Sequence, residues 1–403
     1  MTVRQRKSAA RPWAWLPGPR AFSVHSLFRT AGMPTESKIH FNGVSVMNGF
    51  GISLYLSTGL DRNAAILKKA HRAHMQYAFT SLQISEENTE NKMEEVNSLL
   101  KLCKASGISL IADVSPYTLK KMGCSSFQKL KKTAISYLRV DYGFSCEELV
   151  GLSKDFHLVF NASTLKDDEI AELQRLHADF TKFSACHNFY PEPLTGLSAE
   201  RVKKTNERMH SLGMKTMAFV AGDSSLRGPL YQGLPTLEKQ RNSHVLLNML
   251  QLFQECDTDI CLVGDIDVSD MAYRQIQELA EGYISLQAEI KPEYCFLTER
   301  LHHDRPDSSD YVIRSQESRK YVSEGRTFPA EPLCRPRKKG SIFVANADYL
   351  RYAGELQIAR RDLPPEAKVN QVGTVNSACL PYLSYIRDGM GFQFVLPSSS
   401  KIS

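Results

Sequence analysis

Carboxylates in this chain recur where short apolar runs end. Glu86-Glu87-Asn88 follows YAFTSLQI (77–84), Asp113 lies in ISLIADV (108–114), Asp141 lies in SYLRVDY (136–142) two residues after Arg139, and Asp265 closes DICLVGD (259–265). Asn161 lies near the end of HLVFNA (157–162), and His187, Asn188 and Tyr190 cluster at the end of FSACHNF (183–189). Carboxylates, amides, one imidazole and one phenol converging on a single mouth suit acid–base work on a hydroxyl-rich substrate. His187 has no second histidine placed near it, so no metal centre is expected. No lysine ends any run, which argues against Schiff-base chemistry. No cofactor is expected either.

Converging these groups needs strands that share one end. Eight apolar runs rich in β-branched and aromatic residues, the six above with GISLYL (51–56) and KTMAFVA (215–221), alternate with stretches of helical period. That alternation predicts parallel βα units, and eight over about 235 residues predict an α/β fold of the (β/α)8 TIM barrel type, whose reactive groups project from the carboxyl ends of the strands. An open doubly wound sheet is disfavoured because SLYLSTGLDRN carries no glycine fingerprint. Ser145 with Glu148 predicts a capping box. The connection AGDSSLRGPLYQGLPTLEKQR (221–241) supplies Ser224, Ser225, Arg227, Gly228 and Gly233, a composition that suits an anion site in the loop after strand seven. From about residue 290 the alternation gives way to SIFVAN, ELQIAR, VNQVGTV and FQFVLP, which predict a separate small all-β domain. The expected divisions are 1–49 as an extension outside the fold, 50–288 as the barrel and 289–403 as the β domain.

The chain has 403 residues and a formal charge of +6. Six of its basic residues (Arg4, Arg6, Lys7, Arg11, Arg20 and Arg29) precede the first acid, Glu36, and beyond them bases and acids balance. A nucleic-acid or anionic-membrane surface spread over the fold is therefore not expected. Nine widely spaced cysteines with no CxxC pair predict free thiols in a reducing compartment. No apolar run approaches the ~18 residues of a membrane span.

The motifs FTSLQISEEN, ADVSP, LRVDYGF, FNAST, CHNFYPEPLTGLS, RGPLYQGLPTLEKQR, NADYLRYAGELQI and VNQVGTV together resemble those of the 6-phospho-N-acetylmuramidases, glycoside hydrolase family 170. The resemblance implies a glycosidase barrel followed by a cyclophilin-like β domain, in the cytoplasm. It also implies hydrolysis of the β-1,4 bond of 6-phospho-N-acetylmuramyl-N-acetylglucosamine in peptidoglycan recycling. On this reading the partner is a small phosphorylated muramyl sugar, neither nucleic acid nor a membrane is bound, and a homodimer stands open. Asp141 is assigned to the group facing the anomeric carbon and Glu86 to the proton donor, with Asp113 and Asp265 in reserve. Arg139, Asn161, His187, Asn188, Tyr190, Arg227, Gly228 and Glu238, with Arg351, Tyr352 and Asn370 of the small domain, are the expected substrate-binding residues. Ser85 and Gln240 stand where the resemblance leads one to expect proline and histidine. The alternatives are a phosphosugar lyase or isomerase and a non-catalytic sugar-binding protein.

Overall fold

The computed structural model describes residues 40–41, 44–45, 49–82, 92–116, 135–140, 142–332 and 335–397. Eight parallel strands close into a barrel: β1 (Gly49–Ser53), β2 (Tyr77–Ser81), β3 (Ser109–Val114), β4 (Ile135–Val140), β5 (His157–Asn161), β6 (Phe183–Cys186), β7 (Lys215–Val220) and β8 (Ile260–Val263), with β8 paired back to β1. The expected α/β barrel is thus the observed one. Its strands are apolar on both faces because both are covered. Phe79, Ile111, Val159, Cys186, Met217, Phe219, Ile260 and Leu262 fill the interior, while alternate residues such as Ile52, Ala78, Leu110 and Leu138 meet the helices outside.

Helices α1 (Leu60–Arg72), α2 (Lys92–Ser106), α3 (Cys146–Ser153), α4 (Asp167–Arg175), α5 (Ala199–Ser211), α6 (Val245–Gln254) and α7 (Asp270–Ala280) follow strands in the described chain. In α1, Asn63, Ile66, Leu67 and Ala70 are buried, the three- and four-residue spacing of a one-faced helix. The expected capping box opens α3: Ser145 Oγ accepts from Glu148 N at 3.2 Å and Glu148 Oε2 from Ser145 N at 2.8 Å. Helix α6 differs, since apolar side chains surround it. Val245, Met249, Leu252 and Phe253 pack in the barrel's outer core, and Leu246 and Leu250 in the core of the second domain.

That domain is a seven-stranded sheet in the order β10-β15-β9-β14-β12-β13-β11, from β9 (Tyr283–Ile290), β10 (His302–His303), β11 (Val312–Arg314), β12 (Ser341–Ala345), β13 (Leu356–Ala359), β14 (Val369–Val375) and β15 (Gly391–Val395). Only β9 and β15 pair in parallel. A bridge between Asp304 and Ser315 joins the two edges, so the sheet is nearly closed. Buried Asp304 accepts from Arg360 Nη2 at 3.1 Å and Arg314 N at 2.9 Å beside that seam. Strand β9, which the division at 288/289 cuts, lies wholly in this second sheet. Among the described residues, the cysteines are free thiols and no helix is long and apolar enough to cross a membrane.

One glycine is dictated by the barrel's interior. A Cβ on Gly51 would stand 2.6 Å from Leu262 Cδ2 and 2.7 Å from the Tyr77 carbonyl oxygen. Gly51→Ala should therefore cost roughly 1–3 kcal/mol by overpacking. Gly151→Ala, on α3 with nothing within 4 Å of the new Cβ, should gain about 0.5–1 kcal/mol. Paired thermal melts check both signs.

Candidate active site

Strand register sets the mouth. Ser81, Asp113 and Arg139 are lateral partners at the carboxyl ends of β2, β3 and β4, and all three are buried. Ser81 Oγ donates to Asp113 Oδ2 at 3.0 Å, and Arg139 Nη1 lies 3.4 Å from Asp113 Oδ1. Arg139 Nη2 also donates to Asn188 Oδ1. A buried cation is thereby held from both sides at the centre of the mouth. Beneath it Phe79, Phe189 and Phe219 meet edge to face, with centroids 5.1–6.5 Å apart, and form an apolar floor.

Two long loops build the rim. Residues 187–198 follow β6 and residues 221–244 follow β7. Asp265, fully buried, accepts from the backbone amides of Gly222, Arg227 and Leu234 at 2.8–2.9 Å. Burial pushes its carboxyl above the ordinary carboxylate value, against the downward pull of those donors and of Arg227. Arg241 supplies the complementary charge: its guanidinium donates to the carbonyls of Tyr190, Glu192, Gln232 and Gly233, and pairs with Glu238 at 2.6 Å. The Arg241 bond and amide donors including Gly196 N hold Glu238 down, at about 2.

Several expected site residues therefore have other work. Asp265 anchors a loop, with three amides filling its carboxylate. Glu238 and Asn370 are engaged in the same way. Glu238 is spent on Arg241 and Gly196. Asn370 is buried inside the second domain, where it accepts from Glu331 N and Asn346 Nδ2 and donates to the Pro329 carbonyl. His187 does not face the mouth. Its ring is buried against Asn206 of α5, 2.9 Å from Oδ1, and burial lowers its pKa. Asn161 caps its own turn by accepting from Ser163 N at 3.0 Å. Arg351 and Tyr352 bond to each other on the second domain, where Arg319 also flanks the Tyr352 ring.

Asp113, Arg139 and Asn188 are brought together at the mouth, and Tyr190 and Arg227 lie on the two rim loops. Arg227 stacks over the Tyr55 ring at 4.2 Å, and the Tyr55 hydroxyl donates to the Gly264 carbonyl. Gly228 lies against the Tyr231 ring, 3.0 Å from a Cβ built there. Glu86 and Asp141, with Ser85, lie outside the described residues. Sequence reasoning missed Ser81, Arg241 and Arg62, whose guanidinium reaches across from α1 to Ser225 of the loop after β7. For Arg62 the available signal was its place in the first turn after β1, beside the loops that commonly bind anions in this architecture.

Residues 50–278 match the sequence model of a family described as 6-phospho-N-acetylmuramidase, N-terminal, and residues 283–395 that of its C-terminal counterpart. A crystal structure of a conserved protein of unknown function from Enterococcus faecalis is similar at 28% identity and a TM-score of 0.72, over 87% of this chain and 97% of that one. An uncharacterized B. cereus protein is similar in fold at 24% identity and a TM-score of 0.69, over 86% and 99%. A search of curated proteins finds no match.

The Glu238–Arg241 pair generates a pH prediction. A carboxyl lowered from its ordinary value contributes stability that is complete above the unfolded value and lost as pH falls through the folded one. Glu238→Gln should cost about 1–3 kcal/mol at pH 7. Its difference from the parent should shrink as pH falls from about 4.5 toward 2. Denaturant melts at pH 7, 4.5 and 3 measure this, and a gap that does not change with pH would refute the assignment.

Proposed function

The chain belongs to the 6-phospho-N-acetylmuramidase family through both of its domains, and we propose accordingly that it is a glycoside hydrolase. The substrate is 6-phospho-N-acetylmuramyl-N-acetylglucosamine, cleaved at its β-1,4 bond during peptidoglycan recycling in the cytoplasm. The observation that carries this reading is the buried Asp113–Arg139–Asn188 chain at the strand ends, beside an anchored loop bearing Arg227.

Hydrolysis needs a carboxyl that protonates the leaving oxygen and a charged group opposite it to stabilise the oxocarbenium-like transition state. Asp141 takes the second role as nucleophile, as base, or as orienter of the substrate's own 2-acetamido group. The support is its place in the sequence: it comes two residues after Arg139, which lies at the carboxyl end of β4, where the reactive groups of such a barrel project. Glu86, just beyond the end of β2, takes the role of acid. Asp113 holds Arg139 in place, and Asn188 and Tyr190 take sugar hydroxyls or the acetamido group. The 6-phosphate is assigned to Arg227 and to Arg62, which reaches Ser225 of the same loop, since charge-assisted donors suit an anion.

Incubation with the phosphorylated disaccharide should release both monosaccharides, with oxygen-18 from labelled water entering the muramyl C1; unchanged disaccharide would refute the reading. Asp141→Asn should keep the fold while turnover falls by ~10²–10⁴. A fall under tenfold in a folded variant would transfer the role to Asp113. Arg227→Ala should raise KM for the phosphorylated substrate and leave weak binding of its unphosphorylated form unchanged. Equal losses on both would make Arg227 structural.

A further inference from the structure

The two rim loops share a feature that the reaction as derived does not use. Leu194 is 89% exposed and Tyr231 64% exposed, and both adopt left-handed backbone, at φ 69° and 53°. Leu230, beside Tyr231, is exposed as well. A bulky non-glycine residue at positive φ is strained, and such strain persists only where the surroundings over-determine it. Here they do. The Glu238 carboxylate accepts from the amides of Leu194 and Gly196, and a Cβ on Gly196 would sit 2.7 Å from that carboxylate. One guanidinium, Arg241, grips the carbonyls of Glu192 and Gln232, so Leu194 and Tyr231 stand close to the same seam, one on each loop. The Tyr231 amide donates to the Arg227 carbonyl, and its ring stands 3.0 Å from a Cβ built on Gly228, the residue after the candidate phosphate partner.

We propose that Leu194, Leu230 and Tyr231 form the subsite for the leaving sugar, the N-acetylhexosamine on the far side of the scissile bond. A pyranose presents an apolar C–H face and a hydroxyl-bearing edge. An amphipathic tyrosine with two leucines offers the first a surface in water, and the polar groups of the adjoining mouth serve the second. This inference rests on the hydrolase reading above. It explains why two large apolar side chains are fixed outside any core at the entrance to an otherwise polar mouth.

The test uses Leu194→Asn and Tyr231→Asn, singly and together, because asparagine tolerates left-handed backbone and the loops should keep their shape. Turnover of the disaccharide by the parent enzyme first tests the reaction itself. Given turnover, the double variant should lose at least tenfold in kcat/KM on the disaccharide. Inhibition by 6-phospho-N-acetylmuramic acid, which fills only the other side, should change by less than twofold. Comparable losses in both measurements, or none in either, would overturn the subsite. If the parent does not turn over the disaccharide, the hydrolase reading fails alone, and calorimetry with chitobiose decides the rim: binding weakened at least tenfold by the double variant supports it, and unchanged binding overturns it. Sedimentation is run alongside. A parent dimer converted to monomer by Leu194→Asn would make the rim a contact between copies and overturn the proposal.

Discussion

Long loops over a barrel mouth must find partners for backbone groups that no ladder satisfies, and two buried charges meet that constraint here. Asp265 collects amide donors from Gly222, Arg227 and Leu234. Arg241 collects carbonyls from Tyr190, Glu192, Gln232 and Gly233. An anion can only accept and a cation can only donate, so the two divide the work without competing. The loop after β7 is bound by both, through the amides of Gly222, Arg227 and Leu234 and through the carbonyls of Gln232 and Gly233. Tyr190 takes its position from Arg241 and Arg227 from Asp265.

The same anchoring explains why carboxylates near strand ends are not interchangeable. Asp113 and Asp265 are both buried, yet one faces a guanidinium in the mouth and the other is enclosed by amides. The close approach behind Asp265 leaves no room for variation, since a Cβ on Gly264 would sit 2.3 Å from the Leu234 carbonyl oxygen. Asp223 is likewise engaged, accepting from Ser269 N and Oγ at the start of α7. A polar residue at a strand end is thus a candidate for chemistry only after the backbone's demands have been met.

The eight strands were legible because a parallel barrel makes them apolar on both faces, and their ends fall within about three residues of the runs read from sequence. The second sheet was legible only in part. Strands β10 and β11 are two and three residues long, too short to show any period, and β9 (283–290) precedes the point near residue 290 where the alternation was read to end. His187 is a different case, since the information was present. Cys186 faces the barrel interior, so strand parity sends the next side chain outward and Asn188 back in. The partners of Asp265 were not legible, because they are main-chain amides 31 to 43 residues away, and no side-chain pattern encodes them.

Helix α6 links the mouth to the second domain. Its apolar surround was a signal for burial on all sides, and the structure shows what covers each side. Asn248 on that helix donates to the Gln240 carbonyl, and Gln240 Nε2 donates to the Asn248 carbonyl and to Gln251 Oε1. The short turn Glu238–Gln240 that precedes Arg241 is therefore clamped to a helix whose far face, Leu246 and Leu250, lies in the second core. Gln240, where the resemblance led to an expectation of histidine, points into this clamp and is buried away from the mouth. Its chemistry concerns how firmly Arg241 is seated. The second domain consequently contributes to the site without reaching it, by covering the helix against which the rim's cationic anchor is fastened.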